Sequence, residues 1–236
     1  MSFDSRADAY DNLKWVSMMD EFVEMCEPKP DDIVCDVGAG TGAVTHALLG
    51  KVKSIVAVDT SFKMLDKIKD DDKISKIHQD AFSYLLKHKN EFDLITCRMS
   101  LHHMMDDHLM TAVLCHDALK DGGRIVVAEG VYPRGCRGWY SDVFHIKEPG
   151  RYIYSPSDLI CNLRVYKDIE MKVIKQRDMS MTNWLYNSDT NPHVTRQIGR
   201  MHTLAPGYVK EAYNMRDDGE DIIMDWEQCI VKGYKW

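Results

Sequence analysis

The sequence predicts an α/β protein built on a doubly wound, mostly parallel sheet, and three observations predict it. An apolar run, Ile33-Val34-Cys35 with Val37, ends abruptly in glycines at alternate positions, Gly38, Gly40 and Gly42. That is the pattern of a buried parallel strand turning sharply into a helix. A second apolar run, Val56-Ala57-Val58, ends in Asp59, 21 residues beyond Gly38. The spacing is close to the roughly 20 residues at which the second strand of such a sheet offers a carboxylate to a ribose. Finally, strand-length apolar runs alternate with helical patterns as far as residue 130, which calls for parallel strands joined by helical crossovers.

Taken in order, residues 7–26 place Leu13, Val16, Met19, Phe22, Val23 and Cys26 at spacings of three and four. This predicts one N-terminal helix, closed by Pro28 and Pro30. Strand one covers the run to Val37, and the helix after Gly42 stops at Gly50, a natural terminator. Ser54–Val58 is strand two, and Ser61 caps a helix from Phe62 to Ile68. Ile74–His78 is strand three, Phe92–Cys97 strand four, and a helix runs from Asp106 to Leu119. Asp121-Gly122-Gly123 turns into strand five, Arg124–Ala128. Residues 131–155 show no clear period and read as a loop or lid rich in Arg, Tyr, Gly and Pro. A helix at Ser157–Leu163, a long strand at Ile169–Met179, two short helices within 192–215 broken at Pro206-Gly207, and a closing strand or hairpin over 221–232 complete the chain.

At 236 residues the chain suits a single domain. It divides into an N-terminal helical cap (1–29), a core (30–130), and a lid with substrate-side elements (131–236). Net charge is −7 with no dense Lys/Arg block, which argues against a nucleic-acid partner. Seven cysteines without a C-x-x-C pair, no N-terminal signal region and no run of membrane-spanning length predict a cytoplasmic protein with no membrane partner, a monomer or homodimer.

The glycine run followed by an acid describes an adenosine-type cofactor site. A dinucleotide fingerprint would place its third glycine at Ala43, where alanine is tolerated, but it leaves Asp36 unexplained. A carboxylate there would repel a pyrophosphate and suits a cationic ammonium or sulfonium. With Asp36, the three glycines and Asp59, the chain resembles the class I S-adenosylmethionine-dependent methyltransferases, strongly over residues 30–130.

The resemblance implies a Rossmann-like seven-stranded sheet with antiparallel sixth and seventh strands, and S-adenosylmethionine as cofactor, leaving as S-adenosylhomocysteine. Asp36, Gly38, Ala39, Gly40, Thr41 and Gly42 would hold the methionine moiety. Asp59, with Thr60 beside it, would take the ribose hydroxyls, Met64 would pack on the adenine, and Asp80 with Ala81 and Phe82 would read its amino group. Tyr10 resembles the aromatic that covers the cofactor, and Arg98, ending strand four, joins the same set.

The fourth strand runs into Ser100-Leu101-His102-His103-Met104, without the (D/N)-P-P-(Y/F) element typical of amide and exocyclic-amine methylation. This form resembles small-molecule methyltransferases of quinone, sugar and natural-product type. Histidine takes protons near neutral pH, so His103 or His102 is the candidate base, with Glu129 orienting it. His103 is preferred, and because adjacent side chains on a strand diverge, one of the two is expected to be structural. Arg134, Arg137, Trp139, Tyr140, Arg151 and Tyr152 form the expected substrate wall, suited to an anionic or aromatic small molecule. Met181, Trp184, Leu185 and Tyr186 are candidates for its other side. The cluster of His102, His103 and His108 with Asp106 and Asp107 lacks helical zinc-site spacing, and no metal is expected. The expected reaction is methyl transfer to a hydroxyl oxygen. The alternatives are a carbon or nitrogen acceptor, or a non-methylating reaction (cyclisation, decarboxylation or hydroxylation) on the same cofactor.

Overall fold

The computed structural model describes residues 3–104, 108–188 and 191–236. Three 3-10 turns, Phe3–Ser5, Tyr10–Asn12 and Lys14–Ser17, precede helix α1 (Asp20–Cys26). The alternating core follows as β1 (Ile33–Val37), α2 (Ala43–Leu48), β2 (Ser54–Asp59), α3 (Phe62–Asp66), β3 (Ile74–His78), α4 (Ala81–Leu85) and β4 (Phe92–Arg98). A 3-10 turn at Leu101–His103 leads to α5 (His108–Ala118) and β5 (Leu119–Val131). The remainder is α6 (Arg137–Lys147), α7 (Pro156–Asn162), β6 (Lys167–Ser180), α8 (Met181–Tyr186), α9 (Pro192–Thr203), α10 (Gly207–Ala212), β7 (Arg216–Asp217) and β8 (Ile222–Tyr234).

The strands form one sheet in the order β3-β2-β1-β4-β5-β8-β6, with β7 paired to β8. The strands from β1 to β5 pair in parallel, while β8 lies antiparallel to both β5 and β6. Alternation along each strand sends side chains to opposite faces, and both faces are buried. Cys35, Val37, Ile95, Cys97, Ile125 and Val127 pack with α4, α5 and α7 on one side. Val34, Leu94, Val126, Ala128 and Ile230 pack with α1 and α2 on the other. Continuous apolar runs are therefore what these strands require.

Four expectations are corrected. The N-terminal segment is not one helix: residues 7–26 are divided among the 3-10 turns Tyr10–Asn12 and Lys14–Ser17 and the short α1, the second turn burying Trp15 and Val16 and α1 burying Phe22 and Cys26. Residues 131–155 are not all loop, because α6 lies within them with Val143 and Phe144 buried. The sixth strand is not antiparallel to the core: β6 and β5 both oppose β8, so among the long strands β8 alone is reversed. Asp121–Gly123 is a bulge within β5, where the register jumps from Phe92↔Leu119 to Leu94↔Arg124 and Gly122 takes φ +74°. The expected start of the fifth helix at Asp106 lies outside the described residues.

A buried ion pair ties α1 to the sheet. Arg124, 3% exposed, reaches Asp32 Oδ2 at 2.6 Å and donates to the Cys26 and Glu27 carbonyls at 2.7 Å each. Glu27 itself closes α1 in the left-handed region at φ +46°. Truncating one partner of such a pair strands the other without compensation, at a cost of about 3–5 kcal/mol. Arg124→Ala should therefore lower the unfolding free energy by that amount in urea titrations, and a change under 1 kcal/mol would show the pair to be dispensable.

Candidate active site

The loop from β1 to α2 sits at the carboxyl edge of the sheet, beside the ends of β2 and β4. Gly38 takes φ +70°, and a Cβ added there would meet the Ser100 side chain at 2.4 Å. Ser100 in turn donates to the Val37 carbonyl at 2.9 Å. Only a glycine lets this loop and the turn after β4 approach so closely. The loop is pinned on its other flank by the Val58 carbonyl, which accepts from the Gly38 and Ala39 amides at 2.8 and 3.1 Å.

A cavity opens above this loop, lined by Gly38, Gly40, Asp59, Thr60, Met64, Asp80, Ala81 and Phe82, with Tyr10 over it. Asp59 is fixed by the Gly40 and Ser61 amides at 2.8 Å each, one on each oxygen. Burial raises its pKa against those amide bonds. Asp80 caps α4, accepting from the Ser83 amide at 2.8 Å, and that bond lowers its pKa. Ser100, Gln79, Thr111 and Phe3 also line the cavity and were missed. Ser100 stood inside the quoted Ser-Leu-His-His-Met element, whereas Phe3 carries no local signal.

Five expected members of the set do not line this cavity. Asp36 lies behind the loop, 1% exposed, accepting from Thr45 Oγ1 at 2.8 Å and Thr96 Oγ1 at 2.9 Å. Burial pushes its pKa up to about 6. Ala39 is turned to the core of α3, where it packs with Leu65 and Ile68, and Thr41 donates to Asp11 at 2.5 Å. Gly42 opens α2 at φ +87°, against Ile68. Arg98 points away, donating to the Trp15 and Met18 carbonyls at 2.7 and 3.1 Å and fastening the N-terminal turns.

A second cavity adjoins the first and is walled by aromatic side chains, among them Trp139, Tyr140, Phe144, Trp184 and Trp226. Phe3, Tyr10, Met99 and His103 line both, so these four form the partition. Met99 holds φ +54°, an uncommon backbone state for a side chain of its size. Trp139, Tyr140 and Arg151 stand in the expected wall. Arg134 and Arg137 are exposed outside it, and Tyr152 packs on Tyr154 and the main core instead. Of the α8 group, Trp184 joins the wall while Tyr186 is 83% exposed.

Both histidines line this second cavity, contrary to the strand-based expectation. They belong to a 3-10 turn, where neighbouring side chains are not sent to opposite faces, and their rings lie 3.9 Å apart. His102 is the one with an orienting partner. Its Nδ1 lies 2.6 Å from Glu129 Oε2, and its amide donates to the other oxygen at 3.2 Å. Glu129 is fully buried. With Nδ1 engaged, Nε2 is the ring nitrogen left to the cavity. The pKa of His103 is held well below the histidine range by the protein around it and by His102 beside it. His103 is therefore neutral and a weak base.

Glu148 faces the pair. It accepts from Arg6 at 3.2 Å, Lys147 at 2.9 Å and Arg151 at 3.0 Å. Burial would raise its pKa, but Lys147 and Arg151 prevail and hold it well below the carboxylate range. His102, His103 and Glu148 bring one ligand atom each within 4.8 Å of one another. Three cations already surround that carboxylate, so the charge there disfavours a metal ion. Asp106, Asp107 and the side chain of His108 lie outside the described residues.

Residues 35–127 match a family model described as a methyltransferase domain. The chain is 23% identical over 186 residues to an uncharacterized methyltransferase of Geobacillus sp. (strain WCH70), covering 77% of this chain and 86% of that one. It is 31% identical over 106 residues to a demethylmenaquinone methyltransferase of Clavibacter sepedonicus, covering 43% and 42%. Among solved structures, a candidate methyltransferase of Bacillus halodurans C-125 superposes with a TM-score of 0.77 at 17% identity, covering 91% of this chain and 97% of that one. The fold is that of the class I methyltransferases.

Asp36 provides a test of the frame beneath the site. Its folded pKa of about 6 exceeds the ordinary 3.8, so between those values the folded chain holds a proton that the unfolded chain releases. Stability from this group therefore falls as pH rises from about 4 to about 6. Asp36→Asn should remove that fall, so its stability relative to the parent should rise across this window in urea melts. A pH-independent difference would show that Asp36 is charged throughout.

Proposed function

We propose that this chain, whose residues 35–127 match a methyltransferase-domain family model, transfers a methyl group from S-adenosylmethionine to a hydroxyl oxygen on a flat aromatic small molecule. One observation carries the reading: a loop-side cavity with two carboxylates and an aromatic cavity share the partition of Phe3, Tyr10, Met99 and His103. A donor on one side and an acceptor on the other would meet there.

The residues present fit the cofactor. Asp59 is preset by two amides and keeps oxygen lone pairs for the ribose hydroxyls. Asp80 has one oxygen on its helix cap and the other for the adenine amino group. Met64 and Phe82 supply apolar faces for the base. When bound, the cofactor supplies an electrophilic methyl carbon on a sulfonium. Neutral His103 stands at the partition without adding positive charge beside it.

The chain's own work is on the acceptor. The aromatic wall aligns a flat ring, and alignment alone can contribute roughly 7–11 kcal/mol of barrier reduction. His102 Nε2 takes the hydroxyl proton as the oxygen reacts, while Glu129 holds the ring and balances its charge. Arg6, Lys147 and Arg151 outnumber Glu148 and favour the oxygen as it gains negative charge. The relative named for demethylmenaquinone supports a quinone-like acceptor.

Three outcomes are expected. In calorimetry, Asp59→Ala should weaken S-adenosylmethionine binding more than tenfold with the fold kept, since hydrogen bonds to charged groups contribute about 1.5–3 kcal/mol each. Unchanged affinity would remove the cofactor assignment. With hydroxynaphthoquinones as acceptors, His102→Ala should slow turnover by ~10²–10⁴-fold, and more than His103→Ala does. Near-normal turnover in His102→Ala would leave positioning as the sole device. S-adenosylhomocysteine should form in step with methylated product, and product without it would favour a non-methylating reaction.

A further inference from the structure

The aromatic cavity contains polar groups that the proposed chemistry does not use. Gln176 Nε2, Gln228 Oε1 and the Tyr213 hydroxyl are buried and have no hydrogen-bond partner among the described residues. Their side chains are 3%, 2% and 2% exposed, and all three residues line this one cavity. The two glutamines share a face of the sheet. Gln176 pairs with Trp226 across β6 and β8, and Gln228 stands two residues along from Trp226, the diagonal neighbour position.

Leaving a buried polar atom unsatisfied costs about 1–3 kcal/mol, and an apolar side chain of similar volume would avoid that cost. Three such atoms in one cavity amount to a built recognition surface lacking its ligand. Resting on the acceptor-cavity reading above, we infer that Gln176, Gln228 and Tyr213 form a subsite for a neutral group presenting a hydrogen-bond donor beside an acceptor. A lactam or carboxamide on the far end of the flat acceptor has this chemistry.

The pairing follows from the side chains. An amide N–H of one glutamine donates to the ligand carbonyl, and the carbonyl of the other accepts from the ligand N–H. Which glutamine does which depends on amide orientation, but either assignment demands one donor and one acceptor. The tyrosine hydroxyl serves either. Burial above all disfavours ionisation of Tyr213, and Glu227, which lines the same cavity, adds a smaller contribution. A carboxylate on the ligand would meet that charge, so a neutral group is selected. The cationic cluster belongs to the Glu148 side, where the reacting oxygen is placed.

The test compares two flat probes of one shape. 2-Quinolone offers N–H beside C=O, while coumarin replaces that N–H with a ring oxygen. Calorimetry on the parent protein should show 2-quinolone binding roughly tenfold tighter, because a site built to hydrogen-bond rejects an analogue lacking the group. Gln228→Met and Tyr213→Phe, made separately, should each reduce that ratio, and the parent comparison stands without either variant. A parent ratio near one, or no binding of either probe, would overturn the subsite and leave ordered water as the partner of these atoms. A parallel titration with S-adenosylhomocysteine separates the two readings. Probe selection without cofactor binding would sink methyl transfer and keep the subsite, and cofactor binding without selection would do the reverse.

Discussion

The site depends on one close approach, that of Gly38 to Ser100. Because no side chain stands at Gly38, the β1 loop lies against the turn after β4, and Ser100 bonds the Val37 carbonyl across the gap. This contact brings the carboxylate end of β2 and the histidine turn to opposite sides of one partition. Beneath it, Asp36 is shared between Thr45 and Thr96, joining α2 to β4 at the same level. A shift in either strand would separate the two cavities or merge them.

Charge then divides the second cavity. One carboxylate, Glu148, gathers three cations, and another, Glu129, is given to His102 alone. The first arrangement leaves surplus positive charge, and the second leaves one imidazole oriented and electrically supported. His103 stays neutral beside them. The two adjacent histidines thus have different chemistry: His102 is oriented by Glu129, while burial and the neighbouring His102 lower the pKa of His103.

The strands from β1 to β5 and the glycine loop were legible in the sequence because period and spacing are local signals. Ser61 was equally readable as a helix start, since a cap needs residues only three apart. Asp36 was read as a carboxylate facing the cofactor, but its direction depends on Thr45 and on Thr96, 60 residues away, which turn it behind the loop. The N-terminal segment misled because 3-10 turns and α-helices share three-residue spacing, and packing over the cavities decided between them. Helix α6 hid among glycines and arginines because its aromatic face is matched to residues distant in the chain, on α8, α9, β6 and β8. Glu129 was legible as an orienting group, but that it bonds His102 and not the preferred His103 could not be read, because the contact spans 27 residues.

The topology also determines when the molecule can take shape. Strand β8, residues 222–234, is inserted between β5 and β6. Until it arrives, β6 has no partner in the sheet, and β5 exposes an unpaired edge. During synthesis the five parallel strands can gather early around the glycine loop, but the far third of the sheet waits for β8. Pairings so distant along the chain are slow to form, and open edges invite association with other chains. Formation of the sheet is therefore a two-stage affair, with a half around the glycine loop that assembles first and a half around the aromatic cavity that forms only once β8 has slotted home.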